Sequence, residues 1–153
     1  MDAIVNFLVE AGPAGMFVAA FLAGSILPFS SELVLMGLLG AGADPVALLV
    51  CGTAGNVLGG WLNFFIGRMG RIGWITRFTG ITAERLERGL KPVRRYGAWM
   101  GLLSFVPVAG DLLTVAMGYL RTPPWLSLPA IAIGKYARYQ AIVSTWTAAV
   151  AAA

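Results

Sequence analysis

Four ionisable side chains stand out because they lie deep in apolar sequence. They are two acids, Glu32 and Asp111, and two bases, Lys135 and Arg138. The bases are three residues apart, so on a helix they share one face. Two acids and two bases can neutralise one another as ion pairs, or they can hold a proton and an anionic ligand in turn. Either chemistry requires that the four side chains meet in the folded chain.

The residues just before the first acid predict a helix start that can bind an anion. In the run Pro28-Phe-Ser-Ser-Glu32 the proline ends one helical segment, and Ser30 or Ser31 is a good N-cap for the next. Free backbone N–H groups and the positive end of the helix dipole attract negative charge there. Gly110 gives similar access to the backbone at a second predicted tip, which contains Pro107.

Positive charge from Lys135 and Arg138 would complete such an anion site. A lipid phosphate fits it, because the lipid tail can stay in the apolar phase. Desolvation favours the neutral form of a carboxyl group, so Glu32 and Asp111 could carry protons. Protonation of one acid would then free a base to hold the phosphate. The structural alternative is a buried ion-pair network that locks the surrounding helices to the last one.

The composition predicts an all-α integral membrane protein, with residues 1–153 as a single membrane domain. The chain is 58% apolar and only 12% charged, with a mean hydropathy of +0.79. Soluble domains carry about a quarter charged residues. There is no histidine and only one cysteine, Cys51, which excludes histidine-based catalysis, histidine-ligated metals and an internal disulfide. We therefore expect no enzyme activity, cofactor or metal, and the basic residues are too localised for nucleic-acid binding.

The charge-free stretches predict few complete membrane spans. Only 45–67 is an uninterrupted span of about 20 apolar residues. The stretches 11–31 and 33–43 meet at the predicted tip around Pro28, and 96–110 and 112–120 meet at the tip around Pro107. Two such broken pairs predict re-entrant helical hairpins. The last stretch, 122–153, is interrupted near its middle by the two bases and is expected to cross the membrane with Trp125 and Trp146 as interface anchors.

An internal repeat appears when the chain is shifted by 79 residues. The shift places Pro13 on Pro92, Pro28 on Pro107 and Pro45 on Pro124, and it places Glu32 on Asp111 and Asn56 on Lys135. Each unit reads as a broken hairpin followed by one spanning helix, over 8–74 and 87–153. Asn63, seven residues after Asn56, shares its helix face. These two amides could line the site, or they could make ordinary hydrogen bonds between helices.

The distribution of charge predicts how the two units sit in the membrane. Eight of the eleven basic residues lie in 68–95, so the positive-inside rule places that segment in the cytoplasm. The two repeats are then inverted relative to one another, as in secondary transporters. Between them lies a basic connector, 75–91. Within 68–95, Leu86, Leu90 and Val93 recur at helical spacing and predict an amphipathic helix on anionic headgroups.

Several runs taken together resemble the DedA family of membrane proteins, also called the VTT or SNARE-associated Golgi domain, and most nearly its small YqaA-like branch. The runs that carry the resemblance are Leu27-Pro-Phe-Ser-Ser-Glu-Leu33, Gly55-Asn-Val-Leu-Gly-Gly-Trp-Leu-Asn-Phe-Phe-Ile-Gly-Arg68, Arg95-Tyr-Gly97, Ser104-Phe-Val-Pro-Val-Ala-Gly-Asp-Leu112 and Gly134-Lys-Tyr-Ala-Arg-Tyr139. The resemblance covers nearly the whole chain.

The resemblance implies two opposed re-entrant hairpins and lipid movement across the bacterial inner membrane, with undecaprenyl phosphate or a phospholipid as substrate and protons as a coupling ion. Glu32 matches the family's acid after the first tip, and Pro107 matches the proline of the second. Family arginines flank that proline, and Ser104 and Gly110 stand in their places. Lys135 and Arg138 could replace the missing charge.

Three functions remain open from the sequence: a flippase for a lipid-linked anion, a proton or ion transporter without a lipid substrate, and a non-transporting membrane scaffold with structural ion pairs. Membrane lipids are partners in each case. Two spanning helices form a thin wall, so a homodimer is plausible.

Overall fold

The computed structural model describes residues 2–25 and 30–153, which are helical apart from short connections and include no strand. Within those ranges the elements, in chain order, are α1 (Asp2–Glu10), α2 (Gly12–Gly24), α3 (Ser31–Gly40), α4 (Pro45–Arg68), α5 (Ile72–Thr79), α6 (Ala83–Tyr96), a 3₁₀ segment (Gly97–Phe105), α7 (Ala109–Tyr119) and α8 (Pro124–Ala152).

Helix α4 forms where the sequence predicts the one uninterrupted span. Asp44 caps its first turn by accepting hydrogen bonds from the N–H groups of Val46 and Ala47, both at 3.2 Å, and Pro45 takes the first helical position. Its 24 residues extend about 36 Å. Among the described helices, α4 alone is both long and apolar enough to cross a membrane. Helix α8 is longer, but its two bases lower its hydropathy.

The helices beside the predicted tips are too short to cross a membrane singly. Helices α2, α3 and α7 have 13, 10 and 11 residues, so each extends about 15–20 Å against a hydrocarbon thickness of about 30 Å. Pro107 lies in the break between the 3₁₀ segment and α7, as predicted. The other predicted tip residue, Pro28, lies outside the described residues.

Helix starts keep the offset of the sequence repeat to within one residue. Helices α4 and α8 begin at Pro45 and Pro124, 79 residues apart, and α3 and α7 begin at Ser31 and Ala109, 78 residues apart. Helix α2 packs against α4 as the 3₁₀ segment packs against α8. The opposed orientation of the two units in a membrane remains a prediction.

One difference between the two units is that the residues equivalent to the second half of α2 form the 3₁₀ segment. Gly101 in this segment packs against Ala130 and the backbone of Ile131, and Gly134 of α8 faces the carbonyls of Gly101 and Leu102. A 3₁₀ coil is tighter than an α-helix, which suits such a close approach to α8.

The apolar face of α6 was predicted to lie on lipid headgroups, but in the structure it packs inside the protein. Leu86, Leu90 and Val93 do share one face of α6, but all three are buried in the protein core, and Gly89 of the same helix packs on Leu112 of α7. The expectation that this face lies on headgroups is therefore wrong. The apolar face of α6 is covered by protein and not by lipid.

Helix α5 instead carries the exposed apolar surface of the connector. Ile75 anchors the helix in the core, while Trp74 and Phe78 are exposed and their ring centroids lie 5.6 Å apart. Arg71 stacks over Trp74 at 5.7 Å from the ring centroid, and Arg77 is exposed beside them. Aromatic rings flanked by arginine suit the boundary between headgroups and acyl chains.

We expect Trp74 to reside at that boundary. In a variant that keeps Trp74 and has phenylalanine at the other four tryptophan positions, lipids brominated near the headgroup should quench its fluorescence more than lipids brominated at the chain end. The matching variant that keeps Trp61, whose Nε1 donates to the Leu128 carbonyl inside the protein, is the control. Equal quenching of Trp74 by both lipids would contradict this placement.

Candidate functional site

Helix α8 carries both bases to the two acids. The Lys135 ammonium donates to the Asp111 carboxylate at 2.6 Å, and the Arg138 guanidinium donates to the Glu32 carboxylate. Each acid lies in the first turn of a short helix, Glu32 in α3 and Asp111 in α7. The four side chains of the sequence hypothesis are therefore brought together, in two ion pairs one turn apart on α8.

The two ion pairs differ in exposure. The side chain of Lys135 is 1% exposed and that of Asp111 is 25% exposed, whereas the values are 13% for Arg138 and 36% for Glu32. A buried pair is held by the cost of separating its charges, because the partner left behind is desolvated. The Arg138–Glu32 pair is the more accessible of the two.

The serines beside Glu32 do not cap α3 as predicted. Ser30 occupies the N-cap position, but its hydroxyl donates to the Glu32 carboxylate at 2.9 Å. The Ser31 hydroxyl is hydrogen-bonded to the Tyr139 hydroxyl at 2.7 Å. The carboxylate and the tyrosine are competing partners for these hydroxyls. The first turn of α3 consequently has no side-chain cap among the described residues, which leaves its N–H groups for other acceptors.

Gly110 does not offer the open backbone that the sequence suggested. It is buried against the backbone of Ser104, and its N–H donates to the Val106 carbonyl at 2.8 Å. A side chain at position 110 would overlap that backbone. Gly110 therefore permits the start of α7 to approach the 3₁₀ segment, and its amide is already used.

The second tip contains a strained turn. Val108 has φ 65° and ψ −57°, and the Ala109 N–H donates to the Pro107 carbonyl at 2.7 Å. These values define a classic γ-turn, which is rare and strained, and a β-branched residue rarely adopts positive φ. The turn lies three residues before Asp111.

Asn56 and Asn63 make the interhelical hydrogen bonds that were one of the two roles left open by the sequence. Their amide nitrogens donate to carbonyls of α2, Asn56 to Ala20 at 3.0 Å and Asn63 to Gly24 at 2.9 Å. Their side-chain oxygens are buried and have no hydrogen-bond partner within the described chain. The nitrogens thus hold α2 against α4, while the oxygens remain as acceptors in the interior.

Two site residues were missed as candidates. Tyr139 is fully buried and joins α8 to α3 through Ser31. Its position four residues after Lys135, on the same helix face, was the available signal. Ser104, noted only as the replacement of an arginine, is buried and donates to the Ile131 carbonyl at 3.0 Å, so it fastens the 3₁₀ segment to α8.

A cavity of about 420 Å³ opens beside the more exposed ion pair. Glu32 and Arg138 form its polar wall, and Pro107 of the second tip lies at its rim. The remaining walls are apolar, formed by Phe105, Ala137, Ala141 and Ile142. The cavity therefore combines one charged pair with a surface suited to hydrocarbon.

Two further apolar cavities continue along α8 towards its C-terminal end. The next, of about 550 Å³, shares Ala141 and Ile142 with the first and reaches Met36 and Trp146. A third, of about 360 Å³, shares Trp146 and ends near Val150. We call the three together the α3–α8 groove. From residue 138 to residue 150 it follows about 18 Å of helix, more than half the hydrocarbon thickness.

No group of three or more histidine, cysteine or acidic residues lies together in residues 2–25 and 30–153 to form a metal site.

Comparisons with known proteins agree with the resemblance seen in the sequence. Residues 27–147 match the model of the VTT domain. An uncharacterised protein of Haemophilus influenzae is 37% identical over 136 residues, which cover 84% of this chain and 83% of that protein. The inner membrane protein YqaA of Escherichia coli is 36% identical over 130 residues, which cover 84% of this chain and 87% of that protein. No solved structure matches significantly.

Proposed function

Because this chain belongs to the VTT-domain (DedA) family of membrane proteins, we propose that it moves a lipid-linked anion across the bacterial inner membrane. The substrate is a polyprenyl phosphate, such as undecaprenyl phosphate, or a phospholipid. The location is supported by the name of the Escherichia coli relative. The main support for the proposal is the position of the accessible Arg138–Glu32 pair, which lines the first cavity of the otherwise apolar α3–α8 groove.

The dimensions of the site suit a lipid with an anionic head. A phosphate that replaces the Glu32 carboxylate on Arg138 gains charge-assisted hydrogen bonds, since guanidinium binds phosphate in the same forked geometry as carboxylate. The uncapped first turn of α3 supplies further N–H donors and the positive dipole end. The hydrocarbon tail then follows the groove towards Trp146 and stays out of water.

Protons enter this scheme at the acids. Binding of a phosphate to Arg138 leaves Glu32 without its cation, and a proton removes the resulting charge from an apolar site. The Lys135–Asp111 pair is more deeply buried and provides the second step, because protonation of Asp111 frees the ammonium. Proton uptake is thereby coupled to anion binding.

The proposed topology places the site between the two repeats. With 68–95 in the cytoplasm, α8 runs outward from Pro124, so the α3–α8 groove faces the outer half of the membrane. The ion pairs lie near the middle of the 29-residue helix α8. A lipid can then enter sideways from the outer leaflet, and only its head has to cross the centre.

We expect the conservative variants Glu32→Gln and Asp111→Asn to insert normally and to lose the pH dependence of transport. Each neutralises one acid, so a proton no longer changes the charge of the site. The measurement is translocation of a short-chain polyprenyl phosphate in liposomes that contain the purified protein, over a range of pH. Glu84→Gln, on the exposed first turn of α6, is the matched control.

Each alternative function gives its own result in this assay. Full, pH-dependent activity in both variants would contradict the proposed role of the acids. A proton flux that needs no lipid would indicate an ion transporter. If the wild-type protein moves neither lipid nor protons, the protein is a scaffold and the ion pairs have a structural role.

A further inference from the structure

Three buried oxygen atoms of α4 lack hydrogen-bond donors within the described part of the chain. They belong to Thr53, Asn56 and Asn63. The side chains of Asn56 and Asn63 are 0% and 1% exposed. A buried acceptor without a donor costs about 1–3 kcal/mol, so a donor that reaches these oxygens stabilises the fold by a similar amount.

The orientation of the two amides fixes which atoms are free. Each amide nitrogen already donates to a carbonyl of α2, at Ala20 and at Gly24. Turning either amide around would bring two carbonyl oxygens together. The side-chain oxygens must therefore point away from those carbonyls, and they are acceptors only.

The stem of Lys135 packs on α4 at Gly60, between Asn56 and Asn63 in the sequence. The Cε atom of Lys135 lies 3.3 Å from the position that a Cβ atom on Gly60 would occupy. Gly60 is four residues after Asn56 and three before Asn63, so all three share one face of α4. Cβ positions at such spacings are about 5–6 Å apart. Because Gly60 has no side chain, the lysine stem can pack directly against α4.

We propose that the side-chain oxygens of Asn56 and Asn63 form a second binding site for the Lys135 ammonium, occupied when Asp111 is neutral. An ammonium has three donors, and within residues 2–25 and 30–153 it uses one of them, on Asp111. In the proposed exchange, rotation about the lysine stem carries the charge from the carboxylate to the amide oxygens. This inference rests on the proposed function, in which Asp111 is protonated. The second site then binds the ammonium that Asp111 has released.

Neighbouring charges are compatible with this exchange. On α8, Arg138 lies one turn away and is itself paired with Glu32 of α3, and Tyr139 is bonded to Ser31. Asp111 is the titratable partner on α7. The face of α4 around Gly60 has no ionisable group, so a displaced ammonium meets neutral oxygen acceptors there. The exchange keeps the charge buried without leaving it unpaired.

The test locates the ammonium directly in the full chain, in bilayers. The protein has two lysines, Lys91 and Lys135, and three asparagines, Asn6, Asn56 and Asn63. With ¹⁵N at the lysine Nζ and ¹³C at the asparagine Cγ, solid-state dipolar recoupling reports lysine–asparagine distances. In Asp111→Ala we expect the Lys135 signal to dephase faster than in wild type, because the ammonium has moved into hydrogen-bond range of the amides. Lys91, exposed on α6, should not change.

Further variants assign the effect to the amides. Adding Asn56→Ala and Asn63→Ala to Asp111→Ala should abolish the protonated Lys135 signal at neutral pH, whereas the same two substitutions with Asp111 intact should retain it. If alanine at 111 prevents folding, Asp111→Ser provides the same neutral site. Unchanged dephasing in the Asp111 variants, or a protonated signal that survives the triple substitution, would overturn the proposal. None of these readings depends on transport, so failure of the lipid assay leaves the result intact.

Discussion

Replacing Arg138 by glutamine, together with Glu32→Gln, is expected to reduce lipid-phosphate translocation by at least about tenfold. A hydrogen bond to a charged group contributes about 1.5–3 kcal/mol, and 1.4 kcal/mol corresponds to a factor of ten. The double variant is preferred to Arg138→Gln alone because it leaves no carboxylate without its partner in the half-buried site. The measurement is the initial rate in protein-containing liposomes.

Two controls separate the role of Arg138 from positive charge in general. Arg94→Gln removes a charge from an exposed surface pair with Glu87, at 3.6 Å, and should leave the rate unchanged. Arg138→Lys keeps the charge but loses the forked geometry, so an intermediate rate is expected. Wild-type rates in the double variant would show that the anion does not bind at the α3–α8 groove.

A large loss of stability is expected from a glycine at the contact between α4 and α7. Gly118 of α7 packs directly on the backbone of α4, where a Cβ atom would overlap the Phe64 carbonyl, and Gly67 of α4 packs in the same way on Val115. Neither contact partner is a flexible side chain, so the helices must separate. We expect Gly118→Ala to destabilise the protein by about 3 kcal/mol, measured by reversible unfolding in mixed micelles.

Gly40→Ala is the matched control for this substitution. Gly40 ends α3 and has no atom within 4 Å of the position that a Cβ would take. Alanine is the better helix former by about 1 kcal/mol, so this variant should be as stable as wild type or slightly more stable. Equal effects of the two substitutions would mean that α4 and α7 do not pack as described.

An element of the fold could be predicted where a single residue or a single apolar run determines the local structure. The span at 45–67 followed from an uninterrupted apolar run, and the break at Pro107 followed from the proline. The face of α6 was a different case. Helical spacing shows that Leu86, Leu90 and Val93 share a face, but it cannot show whether protein or lipid covers that face.

The pairing of acids with bases was predictable as a set, because four charges deep in apolar sequence must be compensated. Which acid meets which base was not, since that depends on how α3 and α7 pack around α8. The roles of Ser30 and Gly110 could not be predicted for the same reason: a tertiary partner, Glu32 for one and the Ser104 backbone for the other, competes with the local one.

The γ-turn at Val108 has a consequence for the balance between conformations. A residue held in a sparsely populated backbone region costs about 1–3 kcal/mol. An alternative arrangement of the second tip that returns Val108 to negative φ regains that amount, which by itself corresponds to about 5- to 150-fold in population. The contacts that hold the present tip therefore have to supply at least as much free energy as the turn costs.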